Sequence, residues 1–179
     1  MNLESVIEIA NECGFETAAP MKVETIKVMS EVRDMCAANT CRAYGKSWSC
    51  PPACGTIEEC EARIQLFEQG ILVQSVGELE DSWDYEGIQE LEKLHKKRFF
   101  ALVDKLSEEL DEMLPLAAGC CTLCKECAYP EPCRIPKKLI SSMEAYGLLV
   151  NQICTENGVA YNYGPNKMAY SSCVLFGKK

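Results

Sequence analysis

Several common signs of function are missing from this chain of 179 residues. No apolar run approaches the roughly 20 residues that span a bilayer, and no charged-then-apolar leader follows Met1. We therefore expect a soluble, cytoplasmic protein with no membrane partner. Positive charge is also scarce: the formal net charge is −9, which argues against nucleic acid as a partner.

Motifs of common enzyme reactions are missing as well. The chain has no glycine-rich phosphate loop, no Ser-His-Asp set and no pair of carboxylates with a specific spacing. Its single histidine, His95, lies in the middle of a predicted helix, where a surface position is more common than a ligand position. No motif therefore predicts a reaction, and whether the protein is an enzyme stays open.

Cysteine, by contrast, is abundant, with thirteen residues. In a short secreted chain this number would indicate disulfide bonds, but two tight cysteine clusters without an export signal indicate metal in a reducing compartment. We expect one iron–sulfur domain over residues 1–179, with cysteine loops at residues 36–54 and 120–136. Such clusters would favour an anaerobic host.

The cysteine run of the second loop has the spacing of an iron–sulfur site. Cys121, Cys124 and Cys127 are separated by two residues each, and Cys133 follows after five more. Three thiolates at this spacing curl around one corner of an iron–sulfur cube, and a more remote fourth closes the cage. Structural zinc usually takes separated C-x2-4-C pairs, so we expect a [4Fe–4S] cluster, with zinc as the alternative.

The first loop places four cysteines within nineteen residues, at Cys36, Cys41, Cys50 and Cys54. Their C-x4-C-x8-C-x3-C spacing matches neither a common zinc pattern nor a standard ferredoxin run. Glycines and a Pro-Pro pair indicate a loop folded around a second metal site, and Cys50-Pro51 is similar to the Cys-Pro step of cluster-binding runs. Two alternatives stay open: free thiols on a scaffold loop, or cysteines that serve the cluster of the other loop.

Charge is unevenly distributed along the chain. Between Thr56 and Glu112, sixteen acidic residues stand against six basic ones, a flank that could steer a basic redox partner. The cysteine loops are richer in positive charge, which would stabilise anionic thiolates and raise the potential of a cluster. The positive loop residues are Arg42, Lys46, Lys125, Arg134, Lys137 and Lys138. Outside the loops, Lys96-Lys97-Arg98 is most simply the solvated face of a helix.

Periodic apolar residues and capping motifs predict four helices. The first covers residues 3–13, and the second begins at the capping box Thr56-Ile-Glu-Glu59. The third carries an apolar stripe and ends at Pro115, and the fourth begins at the capping box Ser141-Ser-Met-Glu144. The stripe of the third helix consists of Leu91, Leu94, Arg98, Leu102, Leu106 and Leu110.

Short β-branched or apolar runs predict the strands, and their order predicts an α/β fold with a central mixed sheet flanked by helices and a C-terminal β-hairpin. Both cysteine loops directly follow a predicted strand, so they could share one edge of the sheet and bring two clusters within reach of each other. The predicted strands are Val23–Met29, Ile71–Val76, Leu114–Ala118, and the hairpin strands Val159–Tyr163 and Met168–Phe176. The cysteines outside the loops, Cys13, Cys60, Cys154 and Cys173, are expected to pack as core thiols.

Several segments in and around the two loops resemble a known family. The likeness rests on Tyr44-Gly-Lys-Ser-Trp-Ser-Cys-Pro-Pro52, Ala118-Gly119, Pro132-Cys-Arg134 and Ser142-Met-Glu-Ala-Tyr-Gly147, and it covers about Val23 to Phe176. The family comprises predicted metal-binding proteins of bacteria and archaea and has no established reaction. The resemblance implies metal at Cys121, Cys124, Cys127 and Cys133, and at Cys36, Cys41, Cys50 and Cys54. Cys120 stands as an extra beside the family's cysteine, so either member of the adjacent pair could be the ligand.

Three functions are compatible with these residues. The first is an iron–sulfur protein with one or two [4Fe–4S] clusters that exchanges electrons with a redox partner. The second is an enzyme in which one cluster has three protein ligands and an open iron that activates a small substrate. The third is a zinc module in which thiolates hold long loops and present an interaction surface.

Overall fold

The computed structural model describes residues 1–178 as five α-helices, four β-strands and three short 3-10 helices. No helix within this range is both long enough and apolar enough to cross a membrane. The helices are α1 (Leu3–Glu12), α2 (Ser30–Ala37), α3 (Ile57–Ile64), α4 (Tyr85–Ser107) and α5 (Val150–Glu156), and the strands are β1 (Thr17–Lys22), β2 (Phe67–Glu78), β3 (Met113–Leu116) and β4 (Lys167–Lys178). The 3-10 helices are Val23–Thr25, Pro136–Lys138 and Glu144–Tyr146.

The four strands form one sheet in the order β1-β2-β4-β3, and every neighbouring pair is antiparallel. The α/β class is confirmed, whereas the expectation of a mixed sheet is wrong. The longest ladder joins β2 to β4 along nearly their whole lengths, from Phe67 opposite Lys178 to Glu78 opposite Lys167. No parallel strand pair, and hence no crossover connection between parallel strands, is present in this sheet of the described chain.

The predicted C-terminal hairpin is also wrong, because only its second strand forms. The backbone N–H of Val159 donates to the carbonyl of Cys154 and closes the end of α5, at a distance of 2.9 Å. The following residues then form an irregular segment, in which the Tyr163 hydroxyl donates to Oε1 of Gln74. The second strand, β4, forms a long ladder with β2 and a short one with β3. It does not pair with the residues just before it, as the predicted hairpin required.

The predicted strand over Val23–Met29 is wrong as well. The edge strand β1 precedes it and has Pro20 in its middle, a position that an edge strand tolerates because one side of it needs no hydrogen bonds. Val23, Ile26 and Val28 instead turn their side chains onto the core beneath the sheet. Their apolar character therefore reflects burial and not strand pairing.

The predicted helices are confirmed at α1, α3 and α4, but the predicted end of the third helix at Pro115 is wrong, because α4 ends at Ser107 and Pro115 pairs within β3. The capping box of α3 is present, with the Thr56 hydroxyl accepting from the N–H of Glu59 and the Glu59 carboxylate accepting from the N–H of Thr56. The capping motif at Ser141–Glu144 begins only the 3-10 turn Glu144–Tyr146, which Gly147 ends with a φ of 77°. The helix α5 begins after that turn, so the predicted fourth helix is shorter than expected.

The sheet separates two apolar cores. Along β2, Ile71 and Val73 face α1 and α4, while Leu72 faces the opposite layer, as the two-residue period of a strand requires. Both faces of the sheet are therefore covered, which explains the continuous apolar run of this strand. Three of the cysteines expected in the core are fully buried in the layer that Leu72 faces: Cys60, Cys154 and Cys173. The fourth, Cys13, is half-buried on the side of α1 and α4.

His95 is buried, with 1% of its surface exposed, so the prediction of a surface histidine is wrong. The buried stripe of α4 is Leu91, His95, Phe99, Leu102 and Leu106, whereas Leu94 is exposed. His95 Nε2 lies 2.7 Å from the Ser172 hydroxyl on β4. Burial, followed by the charges of Arg98 and Lys96, lowers the pKa of His95 to about 3.

This buried histidine makes stability depend on pH. In the unfolded chain, the pKa of His95 returns to its ordinary value of about 6.5. Below that pH, the unfolded chain therefore binds a proton at His95 that the folded chain does not bind. The stability that His95 contributes is complete above pH 6.5 and is lost as the pH falls towards 3. Between pH 7 and 5.5, urea denaturation should show the wild-type free energy of unfolding falling by about 1 kcal/mol more than that of His95→Gln.

Comparing wild type with His95→Gln cancels the effect of the other titrating groups, because both proteins contain them. Equal losses of stability in wild type and His95→Gln would contradict the assignment of a neutral, buried imidazole.

Candidate metal centre

The second cysteine loop begins where β3 ends and is closed at its base. The backbone N–H of Ala117 donates to the carbonyl of Ser141 at 2.8 Å, and the carbonyl of Ala117 accepts from the N–H of Met143 at 3.0 Å. Residues 118–140 thus leave and re-enter the fold at neighbouring points. The predicted strand before this loop is confirmed as β3, and it delivers the cysteine run to the edge of the sheet.

The four cysteines of the expected iron–sulfur run lie around one small cavity. Cys121, Cys124, Cys127 and Cys133 all line one small cavity of about 20 Å³, enough for about one water molecule. The structure therefore brings the complete sequence set together, with little empty room between its members. Burial raises the pKa of the Cys121 thiol, and negative charge on the other three cysteines would raise it further.

Cys127 has hydrogen-bond donors on several sides. Although burial by itself raises the pKa of this thiol, bonds from the backbone N–H groups of Tyr129, Trp48 and Ala128 and from the Ser47 hydroxyl bring it below the ordinary value. Backbone N–H groups directed at sulfur stabilise a thiolate and tune a bound metal. Two of these donors belong to the first loop, so both loops shape this site.

The two loops are joined by further polar and aromatic contacts. The Ser49 hydroxyl accepts from the backbone N–H of Cys121 at 3.0 Å. The Trp48 indole N–H donates to the carbonyl of Glu131 at 2.8 Å, and its ring meets Tyr129 edge-on with centroids 5.1 Å apart. The two loops therefore contact each other, but the first loop follows the helix α2 and not the strand that the sequence predicted before it.

The first loop borders a larger cavity, of about 270 Å³. Cys36, from the last turn of α2, lines it together with Cys41 and Cys50. The fourth cysteine on its wall is Cys120, from the second loop. Burial raises the pKa of Cys50, the Ser49 hydroxyl lowers it, and charge on Cys120 and Cys41 would raise it again, so these thiols lie near enough to affect one another.

Cys54, the fourth cysteine of the first sequence block, is not on the wall of this cavity. Its thiol is buried and points to the carbonyl of Ala145, 3.7 Å away, and it neighbours Cys60. Its own carbonyl accepts from Arg63 Nη1 at 2.9 Å, and the adjacent carbonyl of Gly55 accepts from Arg33 Nη1 at the same distance. The assignment of Cys54 as a metal ligand stays a prediction, and in this structure Cys120 occupies the place expected for it.

Lys96 is a further residue of the site that the sequence pattern did not reveal. Its side chain is 12% exposed, and its Nζ donates to Glu92 Oε1 at 2.6 Å and to the carbonyl of Cys120 at 3.1 Å. Arg98 forms an ion pair with Glu16. Of the three residues Lys96-Lys97-Arg98, which the sequence predicted to be a solvated face, only Lys97 is exposed. The trio straddles the buried stripe of α4, which explains why two of its members reach protein partners.

Two of the positive residues of the loops, Arg134 and Lys138, bind other protein groups. Arg134 donates to the carbonyl of Glu126 at 2.9 Å and thereby links two parts of the second loop. Lys138 pairs with Asp104 of α4 at 3.0 Å. Positive charge at this site thus comes from α4 as well as from the loops.

The donor set is one that soft metals prefer. Thiolates select zinc, copper(I) and iron–sulfur clusters. Within residues 1–178, no three His, Cys, Asp or Glu side chains meet closely enough to hold a single ion. A four-iron cube does not require them to meet at one ion, because each iron takes its own thiolate, and four cysteines around one cavity match the number and type of ligands of this group.

The two loops together define a cysteine-rich metal-binding fold. A family model described as "Predicted metal-binding protein (DUF2284)" matches residues 19–176, and the chain belongs to this family. The resemblance inferred from the sequence is thereby confirmed. No curated protein and no solved structure matches the chain significantly.

The contacts of Trp48 provide a test of how the loops support each other. Trp48→Phe keeps an aromatic ring against Tyr129 but removes the donor to Glu131, so we expect the free energy of unfolding to fall by about 0.5–1.5 kcal/mol. Chemical denaturation of anaerobically purified protein measures the change. The matched control is Trp83→Phe at a tryptophan that is 88% exposed, where the change should stay within about 0.5 kcal/mol. Equal effects at the two positions would contradict a structural role for the Trp48 contact.

Proposed function

We propose that this protein is an iron–sulfur protein that exchanges electrons with a redox partner. A [4Fe–4S] cluster would be held by Cys121, Cys124, Cys127 and Cys133, and a second cluster would be held beside the first cysteine loop. The observation that carries the proposal is that all four members of the C-x2-C-x2-C…C run line one small cavity. Membership of a predicted metal-binding family supports the presence of metal, and the spacing supports iron and sulfide.

The residues around the cysteines would bind the cluster and set its potential. Four thiolates make a cluster site strongly anionic, and N–H donors to sulfur together with nearby positive charge offset that charge. Backbone N–H groups of both loops supply the donors at Cys127, and Lys96 supplies positive charge at the carbonyl of Cys120. A bound cluster would supply one-electron chemistry at a potential set by these groups.

The acidic flank supports a basic redox partner. Glu78, Glu80, Asp81 and Glu86 are exposed around the loop between β2 and α4, and Trp83 projects from the same loop. Complementary charge would accelerate the encounter with such a partner, and the effect would weaken with salt. An exposed aromatic side chain in this loop would add apolar contact area to the encounter.

The direct test is metal analysis of anaerobically purified protein. We expect about eight irons and eight acid-labile sulfides per chain, with broad absorbance near 400 nm that bleaches on reduction, as two [4Fe–4S] clusters require. Cys124→Ala should remove about half of the iron, because Cys124 lies only in the smaller cavity. Zinc without sulfide, in a colourless protein, would exclude the redox function and favour a structural zinc module.

The role of Lys96 has its own readout. Lys96→Gln should lower the reduction potential, because removing a positive charge and freeing Glu92 both disfavour the more negative, reduced state. If the reduced state loses about 0.5–1 kcal/mol of electrostatic stabilisation, the potential of a one-electron couple falls by roughly 20–40 mV. Lys97→Gln, at the exposed neighbour, is the matched control and should leave the potential unchanged in a spectroscopic titration. An unchanged potential in Lys96→Gln would exclude Lys96 from tuning the site.

A second function is favoured by the size of the cavity beside the first loop. Its volume of about 270 Å³ approaches the lower end of small-ligand sites, and Thr40, Tyr44 and Glu144 add polar groups to its wall. A cluster with an open iron at this place could bind a small substrate as a Lewis acid. About four irons per chain, with the first loop not filled by a complete cluster, would favour this enzyme over pure electron transfer.

A further inference from the structure

Two adjacent cysteines lie on the walls of different cavities. Cys120 lines the larger cavity with Cys36, Cys41 and Cys50, whereas Cys121 lines the smaller one with the rest of the second run. The chain bends at residues 118–120 after β3, and the two neighbouring side chains at this bend border different cavities. The thirteen cysteines thus contain two groups of four that do not follow the two blocks of the sequence.

We propose that Cys120 and Cys121 ligate two different metal centres, with Cys120 completing a set formed by Cys36, Cys41 and Cys50. This assignment rests on the proposed iron–sulfur function and names the ligands of its second site. In two-cluster ferredoxins, a cysteine of one run ligates the cluster of the other run, so an exchange of this kind has a chemical precedent. Here the second run contributes its first cysteine to the site of the first loop.

Cys54 does not line the larger cavity, whereas its neighbours Cys50 and Ala145 do. Its thiol bonds to the carbonyl of Ala145, and Arg63 Nη1 bonds both the Cys54 carbonyl and the Tyr146 hydroxyl, at 2.9 and 3.0 Å. Arg33 bonds the next carbonyl and lies 3.3 Å from the sulfur of Cys60. Two guanidinium groups therefore fix the backbone at this end of the loop, where the Cys54 side chain is not part of the cavity wall.

The peptide group between Cys120 and Cys121 is fixed on both of its polar sides. Its carbonyl accepts from Lys96 Nζ at 3.1 Å, and its N–H donates to the Ser49 hydroxyl at 3.0 Å. One partner comes from α4 and the other from the first loop, so the orientation of this single peptide sets the directions of both thiols. The two centres would be joined through one peptide unit, whose Cα atoms are about 3.8 Å apart.

The test compares alanine variants, because a serine oxygen could replace a thiolate. Iron and sulfide per chain are measured in anaerobically purified wild type, Cys120→Ala and the matched control Cys54→Ala. We expect Cys120→Ala to lose about half of the iron and sulfide and Cys54→Ala to retain the wild-type content. Full iron in Cys120→Ala, or half the iron in Cys54→Ala, would overturn the assignment.

A second measurement needs no variant and so does not depend on how a variant folds. In fully reduced wild type, two paramagnetic clusters ligated by adjacent residues should show magnetic interaction in the electron paramagnetic resonance spectrum. Two independent, unsplit signals would overturn the shared-peptide arrangement. A wild-type protein without iron would instead refute the proposed function itself, so the two failures are distinguishable.

Discussion

The ladder between β2 and β4 is the interaction on which the remaining structure depends. These two strands occupy the middle of the sheet, and their alternating side chains supply the centres of both apolar cores. The short strand β3 exists because β4 offers it a free edge, from Met113 opposite Phe176 to Leu116 opposite Cys173. The end of β3 then fixes the position from which the second cysteine loop departs. The candidate metal site is therefore attached to a strand of the sheet, and precise ligand geometry would require such a rigid support.

The cysteine loops have little regular structure of their own, so their order comes from contacts with each other and with the helices. Backbone polar groups in such loops need partners, and here they find them in Ser49, Trp48 and Lys96. The same hydrogen bonds that satisfy the backbone also orient the thiols. Loop folding and ligand positioning are thus one process, and metal binding would be coupled to the stability of this region.

The two cavities make different demands on the chain. Around the smaller one, four cysteines close in sequence line one small cavity, and polar groups of both loops lower the pKa of Cys127. Around the larger one, the cysteines come from α2, from both loops and from opposite ends of the site, and polar side chains share the wall. The first arrangement follows from local spacing, whereas the second exists only when both loops are packed together.

Local patterns in the sequence were sufficient for the elements whose stability is local. The apolar period of α1, the capping box of α3, the buried strand around Ile71 and the spacing of Cys121, Cys124 and Cys127 are all visible without a structure, because each depends on residues within a few positions of one another. The metal-binding family could likewise be inferred from contiguous segments.

Tertiary structure alone decided the features that depend on distant partners. The antiparallel sheet arises because β4 reaches β2 across almost a hundred residues, and no local period encodes that pairing. His95 is buried because the stripe of α4 turns towards Ser172 of β4, and a helix with mixed residues allows more than one stripe. Cys120 borders the larger cavity, and Cys54 does not, because Ser49 of the first loop and Lys96 of α4 hold the start of the second loop in place. Sequence spacing groups neighbours along the chain, whereas a metal site groups neighbours in space, and the two agree only where the loop closes on itself.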